Sequence, residues 1–86
     1  MHRLQYRRQA RNYLARLPSK IKTAIVNHLH ALAIDPDDSS LDIDSLGGNS
    51  GYRLRVGKYR VIYTRHDDRV VIEVVRVRPR GDIYKR

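Results

Sequence analysis

Hydrophobic residues recur along the first third of the chain with the spacing of an α-helix. One set lies at positions i, i+3, i+4 and i+7, which is one face of a helix: Ala10, Tyr13, Leu14 and Leu17. Pro18 ends this segment, because proline cannot continue a helix. A second set keeps the helical period to about residue 33: Ile21, Ala24, Ile25, His28, Leu29 and Leu32. The spacing predicts two helices that form a hairpin.

Alternating hydrophobic and polar residues predict strands in the rest of the chain. Leu4 and Tyr6 share one parity and indicate a short first strand, and three further runs cover 52–56, 59–65 and 69–78. Gly57-Lys58 has the length and glycine position of a two-residue hairpin turn. Residues 35–51 are rich in turn residues and predict an irregular connection.

These elements predict a single α+β domain over residues 1–86. Because the helices are grouped before most of the strands, the helix hairpin is expected on one face of a mainly antiparallel, four-stranded sheet that includes the N-terminal strand. A chain of 86 residues without cysteine has little margin of stability, so a lasting partner would help it.

Charge is arranged in blocks. The net charge is +9, made of +7 in residues 1–33, −5 in residues 34–51 and +7 in residues 52–86. Two basic segments around an acidic loop favour a polyanion, either nucleic acid or a ribonucleoprotein, since Lys and Arg gain affinity for phosphates by releasing counterions. The alternative is a solvated basic surface that serves solubility.

Several classes of site are excluded or disfavoured by composition. The absence of Cys removes disulfides, thiolate zinc sites and cysteine nucleophiles. The four His have no metal-ligand spacing, and the Asp of the acidic loop do not match a calcium-binding loop, so their charges are expected to be solvated. No apolar run reaches the ~20 residues of a membrane span, and the basic N-terminus lacks a signal peptide's apolar stretch. We therefore expect a cytoplasmic protein without a membrane partner.

Arginines gather on one predicted sheet face. In residues 52–56, Arg53 and Arg55 lie opposite to the apolar side chains, and Arg60 follows across the Gly57-Lys58 turn. Mutual repulsion disfavours three such cations without an anion, so the cluster favours phosphate binding. For any single arginine, ordinary solvent exposure is the better interpretation.

The C-terminal segment carries a second set of candidates. Pro79 ends the last strand, since it cannot donate to a ladder, and Arg80 and Tyr84 follow on a short tail. A phenol near several cations has a lowered pKa, which makes Tyr84 a candidate for proton transfer. The alternative is that its ring packs the tail down.

The motifs GYRLRVGKYRVIY (51–63) and RVRPRGDIYKR (76–86), after a strand and a helix hairpin, resemble the RelE/ParE superfamily of toxins from bacterial type II toxin–antitoxin systems. The most specific part of the resemblance is the first motif together with an Arg four residues before a Tyr. The likeness covers nearly the whole chain.

The resemblance implies an endoribonuclease that cuts messenger RNA in the ribosomal A site. It implies attack of the ribose 2′-OH on the adjacent phosphate without a metal or other cofactor. Matched by position, Arg60 and Arg80 would contact the scissile phosphate, Tyr84 would contact the 2′-OH or stack on a base, and Arg53 and Arg55 would place the substrate.

Two departures from the family pattern bear on these roles. Arg53 and Arg55 stand where some relatives have lysine, and an arginine with a pKa above ~12 is a poor general base. The segment LDIDSLGG before the first motif, often basic in relatives, carries two Asp and is less attractive to RNA.

The resemblance also implies partners and alternatives. The expected partners are a cognate antitoxin protein, mRNA in the ribosomal A site, rRNA, and operator DNA only through the antitoxin complex. The main alternative is a ParE-like toxin that binds DNA gyrase and inhibits it without cutting nucleic acid, and another is a member that only pairs with its antitoxin. The retained Arg80 and Tyr84 favour the nuclease.

Overall fold

The computed structural model describes residues 1–47 and 51–79. The chain begins with strand β1 (Arg3–Tyr6) and continues into helices α1 (Arg8–Ala15) and α2 (Ser19–Ile34), which Pro18 separates. Four further strands follow: β2 (Ile43–Ser45), β3 (Gly51–Val56), β4 (Tyr59–His66) and β5 (Val71–Pro79). The helix hairpin and the run of strands that the sequence predicts are confirmed.

The strands form one sheet in the order β1-β5-β4-β3-β2. The parallel pair is β1 with β5, and the remaining neighbours are antiparallel. The α+β class with a mainly antiparallel sheet is therefore confirmed. Gly57 has a φ of +57°, which suits the first central position of the two-residue turn between β3 and β4.

The sheet has five strands instead of the predicted four. The additional strand, β2, lies within the connection that was predicted to be irregular, where Ile43–Ser45 pairs with β3. Ile43 packs against the hydrophobic core, and the N–H of Arg55 donates to the carbonyl of Asp42 at 2.9 Å. Three residues between turn-rich segments are too few for an alternating pattern to be recognised, so the sequence did not reveal this strand.

One hydrophobic core lies between the two helices and the sheet. Both helices contribute apolar residues, and β3, β4 and β5 supply the opposite wall: Ala10, Leu14, Ile25, Leu29, Leu32, Leu54, Val56, Val61, Tyr63, Ile72, Val74 and Val77. Because strand side chains alternate, the face of the sheet away from the helices carries the polar residues. That open face holds the candidate site.

The acidic connection is tied to the sheet by Arg65. Its guanidinium donates to Asp37 at 2.9 Å and to Asp67 in the β4–β5 turn at 3.1 Å. The central carbon of this guanidinium lies 6.0 Å from the ring centroid of Tyr52. The Tyr52 ring stacks on the Tyr63 ring, with 5.4 Å between their centroids. Asp37 is therefore an ion-pair partner, while its side chain stays 78% exposed to solvent, as its loop sequence suggests.

Neither helix in the described part of the chain is both long and apolar enough to cross a membrane.

Candidate active site

A row of three arginines crosses the open face of the sheet. Arg55 on β3 lies directly opposite Arg60 on β4, and Arg60 lies directly opposite Arg78 on β5. Neighbouring strands are ~4.8 Å apart, so the three side chains leave the sheet close together. Like charges placed directly opposite destabilise a sheet.

A second row lies next to the first, two residues along each strand. Asp44 on β2 pairs with Arg53 on β3, Arg53 pairs with Ile62 on β4, and Ile62 pairs with Arg76 on β5. The two rows together place five guanidiniums on one face. Four of these arginines line a cavity of about 370 Å³, whose lining residues are Leu46, Arg53, Arg60, Ile62, Val75, Arg76 and Arg78.

An irregularity in β5 puts its arginines on this face. The pairing of β4 with β5 shifts between Ile62 and Tyr63, where Val75 is the extra residue. Val74 before the shift and Val77 after it are both buried. Strict alternation from Val74 would have turned Arg76 towards the core, whereas the bulge turns Arg76 and Arg78 to the open face.

Arg60 has no counter-charge of its own within the described part of the chain. Among residues 1–47 and 51–79, it forms no ion pair, although it lies between two other arginines in its row. The Nε atoms of Arg60 and Arg53 are buried and have no hydrogen-bond partner in the described part of the chain. Unpaired buried donors are costly, so an acceptor entering the cavity would be bound favourably.

Arg53 and Arg55 are held by carboxylates from β2 and the residue before it. Arg53 donates to Asp44 at 3.0 Å, and Arg55 lies 3.0 Å from the same carboxylate and 3.4 Å from Asp42. The hydrogen bond from Arg53 is the main cause that lowers the pKa of Asp44, so this carboxylate is ionised at neutral pH. The acidic connection thus meets the basic face, which its sequence alone did not indicate.

The structure brings together part of the predicted site. Arg53, Arg55 and Arg60 share the open face and the register that the alternation predicts. Arg80 and Tyr84 lie outside the described residues, so their assignment stays a prediction. Arg80 follows Pro79 directly, and Pro79 pairs with Tyr59 next to the Arg60–Arg78 pair.

Sequence reasoning missed Arg76 and Arg78 as members of this cluster. Their alternation with Val77 was visible, but their side of the sheet depends on the bulge at Val75. The adjacent pair Val74-Val75, which breaks the alternation, was the signal that could have found it. The two Asp of LDIDSLGG, Asp42 and Asp44, were noted as unattractive to RNA, but their pairing with Arg53 and Arg55 was missed because the short strand β2 was missed.

The arrangement suits the binding of a phosphate and the stabilisation of charge that develops on it. Guanidiniums present fixed, planar sets of donors that match phosphate oxygens. Arginine does not deprotonate near neutral pH, so these five residues supply charge and orientation but no general base. Among the described residues, no group of three His, Asp or Glu is placed to hold a metal ion.

Comparisons with known proteins agree with the resemblance in the sequence. The family model described as "ParE toxin of type II toxin-antitoxin system, parDE" matches residues 4–84. A chain of the archaeal RelE–RelB complex from Pyrococcus horikoshii is 28% identical, with a TM-score of 0.82 over 93% of this chain and 96% of that chain. No curated protein sequence gave a match.

Two Escherichia coli structures have the same fold at lower identity. A chain of the intact RelBE toxin–antitoxin complex is 20% identical, with a TM-score of 0.76 over 90% of this chain and 94% of that chain. The isolated RelE toxin is also 20% identical, with a TM-score of 0.79 over 98% of this chain and 92% of that chain.

Proposed function

Since the chain belongs to the ParE toxin family of type II toxin–antitoxin systems, within the RelE/ParE superfamily, we propose that it is a toxin that cuts messenger RNA on the ribosome. The observation that carries the proposal is the row formed by Arg55, Arg60 and Arg78, with Arg60 lacking a carboxylate within the described residues. Such a cluster is unfavourable in the free protein and favourable around a phosphate.

The proposed reaction is an intramolecular transesterification. The 2′-oxygen forms a bond to phosphorus while the bond from phosphorus to the 5′-oxygen breaks. A base takes the 2′-OH proton, and the departing 5′-oxygen receives a proton. The products are a 2′,3′-cyclic phosphate and a 5′-OH. The phosphorane gains negative charge relative to the substrate, so oriented guanidiniums stabilise it more than they stabilise the ground state.

We assign Arg60 and Arg80 to the scissile phosphate, and Arg53 and Arg55 to placement of the substrate. Arg78 joins this set because it lies directly opposite Arg60. Tyr84 is assigned to the 2′-OH, since none of these arginines can accept a proton near neutral pH. A stacking role on a base is the alternative for Tyr84.

A defined cleavage reaction tests the proposal. Purified protein would be added to ribosomes carrying an mRNA with one codon in the A site, in the magnesium-containing buffer that intact ribosomes need. We expect a single cut that leaves a 2′,3′-cyclic phosphate, and no cut when one 2′-deoxynucleotide replaces the attacking ribose. Cleavage of the deoxy substrate, or no cleavage of the all-ribose message, would overturn the proposal.

We also propose that a cognate antitoxin binds this chain, because the similar structures include toxin–antitoxin complexes. A cavity of about 360 Å³ lies between α2 and the β3–β4 turn, with apolar walls formed by Ile21, Ala24, Ile25, Val56 and Tyr59. Lys20 and Lys58 also line it. The apolar groove with positive charges suits an acidic, amphipathic segment of the antitoxin.

A second candidate function is inhibition of DNA gyrase without cleavage of nucleic acid. The observation that favours it is the match of the ParE toxin family model over residues 4–84. A gyrase inhibitor has no chemical need for the arginine row, for Arg80 or for Tyr84. Inhibited supercoiling in a purified gyrase assay, together with intact messages, would support this function over the nuclease.

A further inference from the structure

Asp44 forms ion pairs with two of the five guanidiniums on the open face. Its Oδ2 atom accepts a hydrogen bond from Arg53 and lies 3.0 Å from each of the two arginines, Arg53 and Arg55. Asp42 adds a longer contact of 3.4 Å to Arg55. The carboxylate therefore stands where a phosphate oxygen would stand if the same two side chains bound RNA.

The fold holds Asp44 in this position. It lies directly opposite Arg53 in the pairing of β2 with β3, between Ile43 and Ser45, whose partners are Leu54 and Tyr52. Ile43 packs against the hydrophobic core, which fixes the strand in its register. The backbone pairing of β2 with β3 therefore places Asp44 beside Arg53 on the open face.

These ion pairs divide the arginines of the open face into paired and unpaired ones. Arg53 and Arg55 are paired with carboxylates of the chain itself, whereas Arg60 and Arg76 form no ion pair among residues 1–47 and 51–79. The side chains of Arg55 and Asp44 are 42% and 39% exposed, and partly exposed pairs of this kind contribute little to stability. A phosphodiester carries one negative charge, as a carboxylate does, so the two compete on similar terms.

We propose that Asp44, assisted by Asp42, is a specificity-determining residue that withholds Arg53 and Arg55 from the RNA backbone. A strand of RNA then meets Arg60 first, and it gains the other two arginines only by displacing a carboxylate. Binding to loose RNA is weakened, and RNA held in place by another surface is favoured. This inference rests on the proposed function, because it takes RNA as the anion.

Salt dependence of binding measures how many arginines reach phosphates. For single-stranded nucleic acid, each phosphate contact steepens the plot of log affinity against log salt by about 0.7. The probe is a single-stranded RNA oligonucleotide with 2′-O-methyl riboses, which binds but cannot undergo attack by a 2′-OH. Binding is thereby separated from the chemistry of the proposed function.

Three variants separate the release of an arginine from its carboxylate from the mere loss of a negative charge. Asp44→Asn frees Arg53 but leaves Arg55 near Asp42, and the double change Asp42→Asn with Asp44→Asn frees both. Asp68→Asn is the matched control, because Asp68 is exposed in the β4–β5 turn and has no hydrogen bond or ion pair within the described residues. It changes the net charge equally but frees no arginine.

We expect Asp44→Asn to bind the oligonucleotide about fivefold more tightly at ~0.1 M salt, with a slope steeper by about 0.7. The double variant should steepen the slope by about 1.4, and Asp68→Asn should leave the slope unchanged. Equal slopes for Asp44→Asn and Asp68→Asn would overturn the inference, as would failure of every variant to bind.

Two further observations keep the test decisive. If Asp44→Asn unfolds at a lower temperature than the parent, Asp44→Ser removes the carboxylate with a shorter side chain and should give the same slope. Absence of cleavage of an all-ribose message would contradict the nuclease but would not alter the slopes. Failure of the proposed nuclease function and failure of the inference about Asp44 are therefore distinguishable.

Discussion

Arg60 lies in an environment that costs stability in the free protein. Arg55 and Arg78 flank it on the neighbouring strands, and its buried Nε atom has no hydrogen-bond partner among the described residues. Repulsion between opposed like charges and an unpaired buried donor both destabilise the fold. A ligand phosphate would remove both costs, which is why this residue links stability to function.

Replacing Arg60 with Met should therefore separate activity from stability. The change keeps an apolar stem of similar length while it removes the charge and the unpaired donor, so we expect the free energy of unfolding to rise by about 1 kcal/mol. The rate of RNA cleavage should fall by about 10²–10³-fold, as for loss of one donor to a developing oxyanion.

Arg69→Met is the control for Arg60→Met, because Arg69 is an exposed arginine in the β4–β5 turn. It should change neither the unfolding curve nor the cleavage rate appreciably. Full cleavage activity in Arg60→Met would contradict the assignment of this residue to the phosphate.

Tyr84 is the proposed proton acceptor, and Tyr84→Phe removes its hydroxyl but keeps its ring. We expect the cleavage rate to fall by about 10²–10⁴-fold, the range for loss of a general acid or base, while RNA affinity stays unchanged. Single-turnover cleavage and equilibrium binding separate these two quantities. A variant that keeps its cleavage rate would leave stacking on a base or packing of the tail as the role of this residue.

The strands show where sequence reasoning succeeds and where it stops. The alternation in β3 correctly predicted that Arg53 and Arg55 face away from Leu54 and Val56, because period-two patterning is local. The face of the sheet on which Arg76 lies depends instead on how β5 pairs with β4, and that pairing includes a bulge. The pairing register of two strands is a tertiary property. In the sequence, the broken alternation at Val74-Val75 is its only sign.

The sequence did not predict strand β2, for a related reason. Its three residues become a strand by pairing with β3 and by packing of the partly buried Ile43 against the core, neither of which is visible in residues 43–45 alone. The consequence for the site was larger than for the fold, because β2 carries Asp44. Long-range pairing thus decides the electrostatics of the arginine face.

The groove beside α2 leads to a prediction about the antitoxin. Ala24→Glu places a negative charge in the apolar groove, so we expect antitoxin affinity to fall at least tenfold while toxicity is retained. Asn27→Glu, an exposed position of α2 outside the groove, is the control and should not change the affinity. Titration of the antitoxin against each purified toxin gives the comparison, and equal affinities would place the antitoxin elsewhere.

Ion pairs between distant parts of the chain should make the stability of the whole molecule depend on acid. Hydrogen bonds from Arg65 and then His2 lower the pKa of Asp67, and a hydrogen bond from Arg7 is the main cause that lowers the pKa of Glu73. These contacts join the N-terminal segment to β5 and to the β4–β5 turn. Both carboxylates bind protons more weakly in the folded state than in the unfolded state.

Their contribution is therefore present above the unfolded-state pKa values of ~3.9 and ~4.3, and it is lost as the pH falls through the lower folded-state values. We expect the unfolding temperature to drop below about pH 4, with a shallower drop in Asp67→Asn than in the parent. Thermal unfolding across this range checks the effect. Asp68→Asn should retain the parent's acid dependence, and identical curves for all three proteins would refute the explanation.

If the arginine face cuts messenger RNA, new 5′ ends should appear on transcripts in cells that make the protein. The protein, Arg60→Met, Arg80→Ala and Arg69→Met would each be induced to equal levels, with DNA supercoiling measured in the same cultures. We predict cuts within translated messages for the parent and for Arg69→Met, none for the other two, and normal supercoiling throughout. Intact messages with reduced supercoiling in the parent would contradict the claim and identify gyrase as the target.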